Sequence, residues 1–226
     1  MYRLLILCLC CGFLNHASSS PTEDTTPLMY ENCDNLQPKD NIKIQKITGE
    51  WYVIKVFQHQ TDKRLYHGEN YEVSTCPTIR ITYVRYDSEL RLYWEESIGN
   101  IEYRFKVNEK SNPGSWMSSG AQNGSLLQLT SYSQFAGTVY VMEAVNDYMV
   151  LTFCSPNTQF YSMILARKMV MDTKDLRSIT NNITELKLPI TQTKRTCRSS
   201  SSIMQNSMWL VATFCLSHIY LRAAIF

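Results

Sequence analysis

An all-β domain with one late helix is the fold class that this 226-residue sequence predicts. Three observations point there. Several segments alternate bulky apolar with polar residues, the period of a half-buried strand. These segments are short and regularly spaced, and helical periodicity is confined to one late stretch. Strand runs of this kind build either a sandwich or a closed barrel.

Residues 51–57 are the first candidate strand, followed by 79–86, 89–95 and 101–107. The last of these is the clearest, with Ile101, Tyr103, Phe105 and Val107 on one face and Glu102, Arg104 and Lys106 on the other. Asp87-Ser88 and Gly99-Asn100 supply turn residues between neighbours, so the segments read as successive hairpins of an antiparallel meander. Residues 114–124, rich in Gly, Ser and Asn, read as a weak strand or a loop. Residues 126–132, 138–143, 148–154 and 160–166 read as further strands, about eight in all. Over residues 171–183 the pattern changes: Asp172 or Thr173 is placed to cap a helix, and Leu176, Ile179 and Ile183 recur at helical spacing. That helix is predicted to pack on the outside of the sheet.

Both chain ends read as processing signals. Arg3 precedes an apolar run of roughly a dozen residues, too short for a bilayer, which needs about 20. Ala17, Ser18, Ser19 and Ser20 follow it. Residues 1–19 are therefore read as a secretory signal peptide. From Met208 to Phe226 the chain is almost wholly apolar, broken by His218 and Arg222, and a short polar spacer with a run of serines precedes it. This is the pattern of a glycolipid (GPI) anchor signal, with Ser199 and Ser200 as attachment candidates; a single membrane span or an amphipathic tail are the alternatives. The expected division is a signal peptide over 1–19, one domain over 20–198, and a C-terminal propeptide or anchor signal over 199–226.

Of the eight cysteines, Cys8, Cys10 and Cys11 fall in the leader and Cys215 in the tail. Cys33, Cys76, Cys154 and Cys197 remain, and an even set in an exported chain implies two disulfides, with three connectivities open. None has the close spacing of a zinc or redox pair. Asn123-Gly-Ser125 and Asn182-Ile-Thr184 are glycosylation acceptors, in keeping with export. A net charge of +2, with both signs interspersed, does not suggest a nucleic-acid groove, and no nucleic-acid partner is expected.

Catalytic chemistry finds no foothold. His16 and His218 belong to the chain ends, and His59 and His67 are placed in one loop after the first strand, where they read as solvated. Nothing in their spacing supplies a triad or a metal site. The glycines at 114, 120 and 124 lack the lysine of a phosphate-binding loop. Glu95 and Glu96, adjacent on a strand, face opposite ways and are not a paired-carboxylate site. The expectation is a non-enzyme without metal or cofactor.

Three motifs, in order, carry a resemblance to a known family: Gly49-Glu50-Trp51 on the first strand, Asn146-Asp147-Tyr148 late in the strand series, and Arg167 just after Ile164-Leu165-Ala166. The chain from about 33 to 197 resembles the lipocalins, whose G-x-W, T-D-Y turn and late arginine these match, with Asn146 in place of the threonine. Its four cysteines are similar to those of the apolipoprotein D and Lazarillo-like branch. The resemblance implies an eight-stranded antiparallel up-and-down β-barrel with one C-terminal α-helix, and disulfides Cys33–Cys154 and Cys76–Cys197. It also implies that Trp51 plugs one end of the barrel beneath Arg167. Gly49, Trp51, Asp147, Tyr148 and Arg167 are accordingly read as fold determinants that do not touch ligand.

Alternation alone describes a filled core as well as a hollow barrel; the resemblance favours the hollow one. With apolar faces inward, the expected ligand-binding wall comprises Val53, Phe57, Ile81, Tyr83, Leu92, Trp94, Tyr103, Phe105, Tyr140 and Met142. Such a wall suits a small hydrophobic ligand, a lipid, sterol, retinoid or similar. The expected function is extracellular binding and transport of that ligand. The alternative is a GPI-anchored cell-surface glycoprotein whose loops recognise a receptor.

Overall fold

The computed structural model describes Cys33 and residues 35–59, 72–155 and 159–197. The leader 1–19, the tail 199–226 with Ser199 and Ser200, and His67 lie outside the described residues. Nine strands form a single sheet: β1 (Gly49–His59), β2 (Thr78–Val84), β3 (Glu89–Glu96), β4 (Gly99–Asn108), β5 (Asn112–Ser118), β6 (Thr138–Ala144), β7 (Tyr148–Cys154), β8 (Phe160–Ala166) and β9 (Ile190–Arg195). Each of β2 to β8 pairs antiparallel with the next, β8 pairs with β1, and β1 pairs back onto β2, which closes the first eight into a barrel. One turn of helix, α1 (Ile44–Ile47), precedes β1, and α2 (Thr173–Glu185) follows β8.

The hairpins have local causes. Between β2 and β3 the chain makes a 3-10 turn over Arg85–Asp87 and leaves it through Ser88 in the left-handed region, φ 50°. Between β4 and β5 the Asn108 Oδ1 accepts from the backbone N–H groups of Lys110 and Ser111, a side chain mimicking a turn. Helix α2 starts where Asp172 accepts from the backbone N–H of Lys174 at 2.7 Å, an N-cap that satisfies one orphan donor. Its buried stripe, Leu176, Ile179 and Ile183, packs on Ile54, Val150 and Ile164 of the barrel's outer surface.

Two layers of apolar contact result. The inner one lies inside the barrel; the outer one lies between the barrel wall and α2, the chain around Leu186 and Leu188, and the segment at Cys33 and Leu36. Covered on both faces, β7 and β8 are buried along nearly their whole length, hence their near-continuous apolar sequence.

Three features depart from the sequence reading. Residues 126–132 form no strand: Ser125–Gln128 make a 3-10 turn and a loop follows. The backbone at 123 bridges to Glu102 instead, and Gly124 passes so close to β4 that a Cβ there would lie 2.2 Å from the Asn100 carbonyl oxygen. The fifth strand starts earlier than residue 114, at Asn112. Strand β9, polar and mostly exposed, has no alternation to betray it. It forms because β1 runs on past the end of its pairing with β2, and β9 takes up the remaining edge from Lys55 to His59.

Disulfides join Cys33 to Cys154 and Cys76 to Cys197, the pairing the family resemblance implied. Structural disulfides mark a chain that matures in an oxidising compartment.

Candidate functional site

Strand directions divide the barrel into two ends. The β2–β3, β4–β5 and β6–β7 turns and α1 lie at one; the β3–β4, β5–β6 and β7–β8 connections and residues 72–77 lie at the other.

The first end is sealed. Ile44 and Ile47 of α1 and Trp51 of β1 are fully buried in the inner layer, and the Trp51 indole N–H donates to the Ile47 carbonyl at 2.9 Å. Arg167 lies across the outer face of the indole, its guanidinium carbon 3.6 Å from the ring centroid. The same guanidinium donates to the carbonyls of Lys46, Thr48 and Glu50 at 2.8–2.9 Å. Gly49 runs beside it at φ 97°, where a Cβ would approach the guanidinium to 3.2 Å. The Asp147 carbonyl accepts from the Arg167 N–H at 2.9 Å, tying the β6–β7 turn to the same plug, and the Tyr148 hydroxyl donates to Glu143 at 2.7 Å on the outside.

The wall is apolar. Among the residues expected to line it, Val53, Ile81, Leu92, Trp94, Tyr103 and Phe105 face in and are buried together; Tyr83 joins them half-buried near the sealed end, donating to Glu109 at 3.3 Å. Phe57, Tyr140 and Met142 do not face in. Phe57 packs in the outer layer beneath α2, with Lys55 over its ring. Tyr140 and Met142 point outward, both toward the Cys33–Leu188 side and Met142 also toward the α2 layer.

Each error has a physical source. A bulge in β1 between Val53 and Lys55 shifts the count by one, so that Val56 follows Val53 on the inner face and Phe57 turns out. In β6 both faces are covered, so both are apolar, and the alternation does not choose between them; the inner pair is Val139 and Val141.

An aromatic cluster occupies the barrel toward the other end. Phe153 and Tyr161 stack at 4.7 Å, and Phe105 lies 6.2 Å from Trp116. In their midst sits Phe135, carried by the β5–β6 loop, 5.1 Å from Phe153 and 6.3–6.4 Å from Phe105 and Tyr103. Leu126 from the same loop is buried in the same layer. Gln122 holds the loop in shape, bonding the backbone of Phe135 through both ends of its amide. The Tyr103 and Tyr132 hydroxyls are 2.6 Å apart, and Tyr132 also donates to Gln122 at 3.4 Å. No sequence period marks Phe135: it is a lone aromatic in a polar loop.

His59, read from sequence as a solvated loop residue, is the last residue of β1 and is 1% exposed. Its Nε2 lies 2.8 Å from Ser162 Oγ, which lies 2.7 Å from Thr152 Oγ1, and its ring packs on Phe160 at 4.6 Å. The Ser–His pairing has the spacing of a nucleophile and its base. Ser162 is wholly buried, however, and the His59 Nδ1, where a triad would place an acid, has no hydrogen-bond partner among the described residues. Among the described residues no cluster of side chains is arranged to hold a metal.

Burial pulls the His59 pKa down to about 4 from an ordinary value near 6.5. Between these two values the unfolded chain binds a proton that the folded one refuses. Stability is therefore full above about pH 6.5 and falls as the pH drops toward 4, by roughly 3 kcal/mol from this group. Melting temperatures recorded across that window should fall less steeply for His59→Gln than for the parent; parallel curves would assign the acid sensitivity to other groups.

Asn123 and Asn182 are both exposed, the first on the β5–β6 loop and the second on α2.

The architecture defines a class: a closed eight-stranded antiparallel barrel with one added strand and one C-terminal helix, sealed at one end and apolar within. Barrels of eight strands have an interior that side chains can fill or that one small molecule can share. No protein-family model matches the chain, and no curated protein matches it.

Proposed function

We propose that the protein is an extracellular lipocalin, related to the apolipoprotein D and Lazarillo-like branch, that binds a small hydrophobic molecule inside its barrel and transports it without chemical conversion. Phe135 carries the reading. It reaches the barrel interior from a loop, so the strands by themselves leave room there for an apolar group brought from outside the sheet. A wall of apolar and aromatic side chains with a few hydroxyls at one end is the usual make-up of a lipid-type pocket. Burial of ligand surface at roughly 25 cal/mol per Å² supplies the affinity. Two disulfides and two exposed glycosylation acceptors support export.

Trp51, Trp94 and Trp116 all lie in the inner layer and report on it. Titration of the oxidised protein with fatty acids, sterols, retinoids and aromatic hydrophobes should give saturable quenching of tryptophan fluorescence for at least one class, weakened by Phe105→Ala. A folded protein that shows no quenching across the panel would sink the carrier reading.

A further inference from the structure

The β5–β6 loop is bolted to the barrel in two places. In its first half the backbone at 123 bridges to Glu102, the Asn100 N–H donates to Ser125 Oγ at 3.0 Å, and the Ser125 N–H donates back to Asn100 Oδ1 at 3.3 Å. At its far end the Gly137 N–H donates to Ser118 Oγ at 3.0 Å, the Gly137 carbonyl accepts from the Ser118 N–H at 2.9 Å, and the Cys154 carbonyl lies so close that no Cβ would fit. Residues 133–136, which carry Phe135, lie between these bolts. Among the described residues their backbone groups pair with side chains and not with a strand backbone. Gln122 bonds both backbone groups of Phe135, Gln159 donates to the Ser133 carbonyl, and Ser155 donates to the Ala136 carbonyl. Phe135 can therefore leave the barrel by exchanging a few side-chain bonds for bonds to water, with every strand pairing kept.

The place that Phe135 fills is shaped by the strands. Its ring is 2% exposed and stands edge-to-face with Tyr103, Phe105 and Phe153, at interplanar angles of 80°, 63° and 71°. Those three rings belong to β4 and β7, so the slot between them does not depend on the loop. With its centre 5.1 Å from that of Phe153, the Phe135 ring is in contact, and no further ring fits between the two. Edge-to-face contact sets the positive edge of one ring against the negative face of another. A flat aromatic ring satisfies that arrangement; a saturated ring of the same size has no such faces to offer.

We infer that this slot is the binding site for an aromatic ring of the ligand and that Phe135 is its built-in competitor, which the ligand's ring displaces. This rests on the carrier reading. The apparent affinity is then the intrinsic affinity of the slot reduced by the fraction of molecules in which Phe135 is out. Loosening Phe135 raises that fraction and tightens binding. Removing a ring of the slot wall lowers the intrinsic affinity and weakens binding. Occupant and wall are thus told apart by the sign of the effect, and Gln122, which latches Phe135 without lining the slot through its own ring, acts as a positioning residue on the occupant's side.

The test titrates the oxidised protein with the neutral dye N-phenylnaphthylamine and displaces the dye with phenylbutanol or cyclohexylbutanol. Phe135→Ala should bind the dye about tenfold tighter than the parent, and Gln122→Ala, which keeps the ring and removes its latch, about threefold tighter. Phe105→Ala should weaken it. Phenylbutanol should compete about threefold better than cyclohexylbutanol. In the parent with para-fluorophenylalanine in place of Phe135, saturation with dye should move the fluorine resonance to that of an exposed ring. Dye binding that leaves this resonance unmoved, or that neither Phe135→Ala nor Gln122→Ala tightens, would overturn the displacement and leave the carrier reading standing. Equal competition by the two alcohols would overturn the aromatic preference. Binding of dye by Phe135→Ala but not by the parent would make Phe135 a permanent part of the core and sink both readings, as would a failure of parent and variant alike to bind dye or alcohol.

Discussion

Replacing Cys76 and Cys197 together by alanine is expected to lower the unfolding free energy by about 4–5 kcal/mol, the chain-entropy value for a loop this long. The two cysteines are 121 residues apart, as are Cys33 and Cys154. Chain entropy therefore predicts the same loss for either pair, and any difference between the two double variants measures the native state. The Cys76–Cys197 variant should lose more. It crosses the seam where the edge of β1 passes from β2 to β9, and the backbone there is cross-bonded: Cys76 N–H to the Thr196 carbonyl, Val53 N–H to the Pro77 carbonyl, and Thr196 N–H to the Ile54 carbonyl. Thr196 and Cys197 are buried at that seam. Urea unfolding of both variants under oxidising conditions decides it; equal midpoints would mean that the seam holds without its disulfide.

Arg167→Ala is expected to cost about 4 kcal/mol. One guanidinium makes a cation–π contact with Trp51 and bonds to three carbonyls of the chain that leads into β1. Charge-assisted hydrogen bonds are stronger than neutral ones, and a flat donor that also stacks is specific to arginine. Arg167→Lys should therefore recover less than half of the loss. The readouts are the thermal midpoint and the Trp51 environment in near-ultraviolet circular dichroism. A lysine variant as stable as the parent would reduce the residue to a charge.

Much of this fold was legible in the sequence because its signals are local. The meander from β2 to β4 shows in alternation with turn residues between, and α2 shows in a capping Asp172 and the spacing of Leu176, Ile179 and Ile183. The same signal placed Leu92, Trp94, Tyr103 and Phe105 on one inner face, since no bulge interrupts the β2–β3 pairing or the β3–β4 pairing. Resemblance, not pattern, supplied the closure into a barrel and the choice among three disulfide pairings.

The candidate site was legible only along those uninterrupted strands. Glu96 could be assigned to the opposite face from Glu95, but not to one end of the barrel, because a strand says nothing of where its end lies. The meander of β2 to β4, the helix and its cap, and the four structural cysteines are properties of short windows of chain, and the sequence alone determines them. The orientation of Phe57, Tyr140 and Met142, the burial of His59, the strand β9 and the insertion of Phe135 were decided by tertiary structure. Alternation names faces only relative to a neighbour within one unbroken strand. A bulge, a second covered face, or an edge that needs a hydrogen-bonding partner changes the answer through residues far away in the chain.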